Sequence, residues 1–290
     1  MVRRIALSLV VVATLAGASA AFGQGGLQVP SPDLLLNRAW EEAGGLETYG
    51  RLGILLVEVT AEENTQEGTI TGRKSRTYFL APGPAPGRIE IEKPPVVSGD
   101  DGTGGWAIAG GKPDARPSTK MMVKRLLTTN LFTIMLPFSL NWEGVTAVAV
   151  EPMVVKGIPV WRLFVDIAPG FFHSPQISPK WRVDFDRTTY AVVQADCPAT
   201  DLGKGITADG MRISWTDHRQ VMGLRLPGVQ RTIGISETGA EKAHSRTEQL
   251  RYEVMSAEAK AKLFGNPVPP ELRPTPPTGR PPVLAPKPKA

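Results

Sequence analysis

Three histidines, one cysteine and a few neighbouring carboxylates are the residues of this 290-residue chain that could carry chemistry. His173 lies in a Pro-flanked loop, His218 follows Asp217, and His244 sits in an alternating segment. None has a second His or Cys at metal-ligand spacing, so a zinc site has no support. Asp217-His218 supplies two members of a hydrolytic triad, but adjacent strand residues point to opposite faces. No G-x-S-x-G elbow provides a nucleophile. Asp100-Asp101 lacks the further oxygen ligands of a calcium loop and reads as a turn. Gly102, Gly104 and Gly105 lack the Lys-Ser/Thr of a phosphate loop and precede a strand rather than a helix. Cys197 is the single cysteine, so no internal disulfide can form, and with no base beside it an inert thiol is expected. No catalytic residue, metal or cofactor is therefore assigned, and a non-enzyme is expected. Carboxylates that meet only in the folded chain stay outside what sequence shows.

The elements that would position any site follow from periodicity. Ser31-Pro32-Asp33 opens a helix with an N-cap, a first-turn proline and an acid on the dipole. Leu35, Leu36, Ala39, Trp40 and Ala43 follow at helical spacing, and Gly44-Gly45 ends it. From Leu52 the period becomes two, with Leu55, Val57, Val59 and Ala61 on one face. Residues 73–80 and 88–92 continue as strands, and Val96-Val97 and Trp106-Ala107-Ile108 flank a Gly99–Gly102 turn. Ser118 to Leu136 is a second helical segment. Lys120, Lys124 and Arg125 oppose its dipole, which predicts a break near Thr128-Thr129-Asn130. Its second half is apolar on nearly every side, as befits a helix inside a concave sheet. Strands then return over 145–150, 160–167, 181–186, 190–194, 211–215, 223–227, 229–235 and 243–254. Ser256 caps a short closing helix that ends at Phe264. About ten strands with two early helical segments and short turns predict one antiparallel α+β domain.

The ends read differently. Met1-Val2-Arg3-Arg4, an apolar run from Ile5 to Gly17 and Ala18-Ser19-Ala20 have the grammar of an export signal. The run is shorter than a membrane span needs. Residues 1–20 are therefore expected to be removed, leaving a soluble periplasmic protein that starts near Ala21. Residues 267–290 hold ten of the 27 prolines and are expected to be a disordered or polyproline tail, outside a domain over 21–266. The net charge of +5 comes from these ends. Of the 33 Lys and Arg, two lie in residues 1–20 and four in residues 267–290, which also hold one of the 28 acids. The body is balanced, so nucleic acid is not expected as a partner.

Three landmarks occur in order. A helix runs into Gly44-Gly45-Leu46-Glu47 and a first strand from Leu52; then comes Asp101-Gly102-Thr103-Gly104-Gly105-Trp106; then Trp215-Thr216-Asp217-His218-Arg219-Gln220-Val221-Met222-Gly223-Leu224-Arg225-Leu226-Pro227. This order over residues 30–266 resembles the periplasmic lipoprotein-carrier (LolA-like) superfamily, including its outer-membrane lipoprotein-sorting type. The last landmark resembles the family's F-x-D-Y-R-x-V-x-G-L-x-L-P, with His218 in place of its Tyr. The resemblance implies an incomplete antiparallel β-barrel of about ten to eleven strands, with helices plugging its concave side. It also implies an interior that holds acyl chains. The expected function is a periplasmic carrier or binding protein for a lipid or a lipidated protein. Peripheral contact with a membrane is compatible with that role.

The cavity wall is expected from Leu127, Leu131, Phe132 and Met135 of the second helix, Leu55 and Val57 of the first strand, and Trp215. An alternative is a non-catalytic envelope sensor or scaffold that grips a protein, with the Pro-rich tail as one contact. A third is a hydrolase without a recognisable motif.

Overall fold

The computed structural model describes residues 28–64, 70–83, 86–102, 104–114, 116–172, 180–198, 210–236 and 238–268. The export signal, its cleavage site, His173 and nearly all of the Pro-rich tail lie outside them. Helices are α1 (Pro32–Glu42), α2 (Leu46–Gly50), α3 (Pro117–Ile134) and α4 (Lys260–Phe264). The first strands are β1 (Ile54–Asn64), β2 (Ile70–Leu80), β3 (Gly87–Ile91), β4 (Val96–Asp100), β5 (Gly105–Ala109) and β6 (Lys112–Pro113). After α3 come β7 (Val145–Val155), β8 (Ile158–Ile167), β9 (Lys180–Asp186), β10 (Val192–Pro198) and β11 (Gly210–Thr216). The remainder are β12 (Arg219–Val221), β13 (Leu224–Leu226), β14 (Val229–Ile235) and β15 (Glu241–Met255).

Thirteen strands form one sheet in the order β6-β5-β4-β3-β2-β1-β15-β14-β11-β10-β9-β8-β7. Every adjacent pair is antiparallel, and β6 and β7 remain as edges, so the α+β fold is an open barrel. Local chemistry accounts for much of this. The Ser31 hydroxyl accepts from the Leu34 amide at 3.2 Å and starts α1. Lys156 and Gly157, both at positive φ, make the two-residue turn between β7 and β8. Gly99 stands opposite Trp106, and a Cβ there would lie 2.5 Å from the indole. That cross-strand seat draws β4 through Gly99 and Asp100, so the expected turn moves on to the residues after Asp100.

Two other expectations are corrected. The chain does not break near Thr128; α3 is continuous for 18 residues. Asp100 pairs with Lys124 at 3.5 Å, and Leu127, Leu131 and Phe132 are buried, so tertiary burial outweighs the unfavourable dipole. Residues 223–227 do not join the sheet: β12 and β13 form a separate two-stranded ribbon. Asp217, at φ 53, bends the chain out of β11 before that ribbon, so Asp217 and His218 are not consecutive strand residues.

The ribbon docks on the end of α1 by backbone contact. The Arg225 amide donates to the Ala43 carbonyl at 2.8 Å. A Cβ on Gly44 would stand 2.2 Å from the Gly223 carbonyl oxygen. Two of the sequence landmarks therefore touch. On the outer face, Ile54, Phe79 and Ala81 gather around Phe264 of α4. Farther along that face, Arg162 clasps Asp184 through two 2.8 Å contacts, and Arg212 clasps Asp196 through two more. Each pair is directly opposite in register, which pins the strand alignment.

Gly44 and Gly45 both have positive φ, but nothing lies within 4 Å of a Cβ on Gly45. Gly44→Ala is expected to lower the melting temperature by about 5 °C or more, for a loss above about 2 kcal/mol. Gly45→Ala, which adds backbone strain alone, is expected to cost about half as much or less. Differential scanning calorimetry of the two variants measures the contrast.

Candidate functional site

The seven expected wall residues meet. Leu55, Val57, Leu127, Leu131, Phe132, Met135 and Trp215 are all buried and belong to one continuous apolar cluster on the concave side. Leu55 and Val57 come from the middle of the sheet, where β1 lies between β2 and β15. Leu127 and Leu131 project from α3 toward β3, where Gly87 has no side chain to keep them off. Phe132 lies at the centre of a ring cluster, 5.0 Å from Trp181, 5.4 Å from Phe172 and 6.1 Å from both Trp142 and Phe171. The chain then turns through residues 138–141, held where the Ser139 hydroxyl donates to the Phe132 carbonyl at 2.7 Å. The Trp40 indole of α1 donates to the Pro137 carbonyl at 3.0 Å, and Tyr49 of α2 stacks on Phe138 at 4.8 Å. In this arrangement α3 and residues 138–142 fill the interior as a plug.

The plug's helix is poorly made in its own right. Arg116 at the N-cap turns its guanidinium to Asp114 and gives the helix no side-chain cap, and the first turn holds no acid. The Thr129 hydroxyl and the Trp181 indole nitrogen are buried without a partner, each costing about 1–3 kcal/mol. What holds α3 in place is burial of its apolar face.

The sequence reading missed a polar belt across the same concave face. Trp215 of β11 donates from its indole to Gln230 of β14 at 3.1 Å. Gln230 donates to Glu248 of β15 at 3.1 Å, and Glu248 pairs with both Arg246 and Arg76 of β2. Gln230 stands opposite Trp215 and Glu248 opposite Gln230. The signal available was parity: Arg246 and Glu248 alternate in phase with Leu250, Tyr252 and Val254, which face the core.

The candidate chemical residues lie elsewhere. Cys197 is buried on β10, and burial, with Asp196 beside it, pushes its thiol up to about 12. His218 sits half-buried in a shallow cleft with Ala39, Ala43, Pro137, Tyr190 and Arg225. Burial and Arg225 hold its imidazole below the ordinary value, against the pull of Asp217. Among the described residues, no group of three His, Cys, Asp or Glu is placed to hold a metal, and no helix is long and apolar enough to cross a membrane.

With this geometry in hand, comparison with solved structures is informative. A LolA superfamily protein from Nitrosomonas europaea superposes with a TM-score of 0.53 at 10% identity, over 79% of this chain and 96% of that one. The chain has a LolA-like fold. A DUF1329 family protein from Desulfovibrio piger superposes at 0.50 with 12% identity, over 80% of this chain and 97% of that one. No protein-family model and no curated protein matches the sequence. The LolA-like sheet and its plug are thus present in a chain recognisable by its architecture.

Two measurements test the site's electrostatics. At pH 8 only about one Cys197 in 10⁴ would be thiolate, so Ellman's reagent should label the native protein at least about tenfold more slowly than the urea-unfolded chain. For His218 the folded value lies below the unfolded one, so the unfolded chain takes up the proton first. Stability should fall as pH drops below about 6.5, and this loss should level off below the folded value. Urea midpoints at about pH 7.5 and about pH 5.5 should differ less in His218→Gln than in the parent.

Proposed function

We propose that the protein is an exported carrier or binding protein of the cell envelope, cleaved near Ala20, that holds the acyl chain of a lipid or lipidated protein. Binding, not catalysis, is its activity. The observation that carries this reading is the plug. An unclosed sheet keeps its concave apolar face dry with one poorly capped helix, and Leu127, Leu131, Phe132 and Met135 occupy the space an acyl chain would take. Each acyl methylene buried there would gain about 0.8 kcal/mol, so a long chain can outcompete part of the plug. The LolA-like fold supports the same reading.

A second reading, a scaffold that grips a protein, is favoured by one feature. Edge strand β7 is eleven residues long and leaves Val148, Met153 and Val154 exposed beside an unpaired ladder. Such an edge can accept a strand from a partner.

The test combines extraction and melting. Organic extraction of the purified full chain followed by mass spectrometry should yield an acyl lipid. Phe132→Ala should destabilise the protein by about 3–5 kcal/mol. Saturating long-chain fatty acid should raise the melting temperature of the parent, and that of Phe132→Ala by more, because the ligand fills the vacated volume. No extracted lipid and no ligand-induced shift in either protein would leave an ordinary packed core and the scaffold reading.

A further inference from the structure

At one boundary of the apolar interior two cations share one anion. On the inward face of β2, Leu80 and Tyr78 belong to the core, Arg76 follows, and Lys74 is exposed at the rim. Arg76 crosses β1, where Ala61 stands opposite Glu248, and pairs with that carboxylate. Arg246, two residues along β15, pairs with the same carboxylate at 2.5 Å. Lys74 pairs with Glu63 at 3.3 Å, and Glu63 also stands opposite Arg246 in register, so three cations share two carboxylates here. The two arginine side chains are 14% and 33% exposed, so their charge is only partly hydrated.

Three donors here lack an acceptor. The Nε of Arg76 and the Nε of Arg246 are buried and unpartnered, and so is the hydroxyl of Tyr78, a residue only 1% exposed. The Arg76 guanidinium lies 5.4 Å from the Tyr78 ring centre, which joins the charged pair to the apolar wall. Gln230, anchored by Trp215, holds Glu248 from its other side and leaves the arginines' outer edges free of that carboxylate. Buried N–H groups of a cation are satisfied best by an oxyanion.

We propose that Arg76 and Arg246 form the headgroup end of the interior, and that the ligand is an amphiphile with a carboxylate or phosphate head and an acyl chain. The assignment rests on the carrier reading and narrows it to anionic amphiphiles. The head accepts from the two guanidinium groups beside Glu248, and the chain runs past Val59 toward Val57 and Leu55. A neutral head could accept from the donors but would leave the surplus charge unbalanced.

The experiment is displacement of a fluorescent fatty acid from the full chain by palmitate, palmitoyl lysophosphatidate, monopalmitoylglycerol and inorganic phosphate. Both anionic chains should displace the probe at concentrations at least about tenfold lower than the glycerol ester, which corresponds to about 1.4 kcal/mol. Phosphate alone should not displace it. The preference should fall to about threefold or less in Arg246→Gln. It should fall likewise in Arg76→Gln, which leaves Arg246 and Glu248 as a balanced pair and keeps the test open if the first variant misfolds. Equal displacement by the glycerol ester, displacement by phosphate alone, or an unchanged preference in both variants would overturn the headgroup assignment while leaving the carrier reading standing. Failure of the probe and of every chain to bind would overturn both.

Discussion

The concave face of the thirteen-stranded sheet has to be kept from water by something other than the sheet, because β6 and β7 never meet. A closed barrel fills its interior with its own side chains at about eight strands, and this sheet is wider than that. Here the segment from Pro117 to Trp142 does that work, with Leu127 and Leu131 against β3 and Phe132 among the rings of Trp142, Phe171, Phe172 and Trp181. The helix contributes little to its own stability. Its N-terminus is uncapped and its early cations oppose the dipole, so its position is set by the apolar area it covers. Apolar area is most of what holds this cover, with Lys124–Asp100 and the Trp40 bond to Pro137 as its polar ties.

The two faces of the sheet use charge in opposite ways. On the outer face each buried carboxylate has a bidentate arginine directly across the ladder: Arg162 for Asp184 and Arg212 for Asp196. Arg182 also reaches Asp196 at 3.9 Å, and removing a bidentate partner would strand a charge at a cost of about 3–5 kcal/mol. The bidentate pairs fix register. On the inner face Glu248 is shared by Arg76 and Arg246, and its remaining hydrogen bond goes to Gln230. That arrangement leaves donors over. The role proposed for those surplus donors is to meet an anionic head at the edge of the apolar interior.

Much of the fold was legible because its signals are local. Alternation placed β1, and Ser31 and Pro32 placed the start of α1. The burial of the seven expected residues was legible for the same reason, since an all-round apolar helix and an alternating strand each announce a buried face. The misses were non-local. The ribbon β12–β13 alternates like any strand pair, and only the bend at Asp217 and the seat on Ala43 take it out of the sheet. The break expected in α3 was an argument from propensity, which Lys124–Asp100 and core burial override. Trp215, Gln230, Glu248 and Arg76 come from four strands, and their meeting depends on register across the centre of the sheet.

The touching landmarks join the first helix to the last strands with few demands on side chains. Gly44 ends α1 at φ 111, a conformation costly for other residues, and its missing side chain admits the Gly223 carbonyl. The Ala43 carbonyl then binds the Arg225 amide, and Leu224 and Leu226 are carried into the core from the ribbon. Downstream, the Tyr252 hydroxyl donates to the Pro227 carbonyl at 2.7 Å and the Leu250 amide to the Gly228 carbonyl at 2.8 Å, tying the ribbon's exit to β15. These contacts are made by backbone groups and by the absence of a Cβ, so they constrain few side-chain identities. Glycine and a short apolar run at the right places are enough to join the first helix to the last strands. The remaining positions need only alternate, and alternation can be met by many sequences.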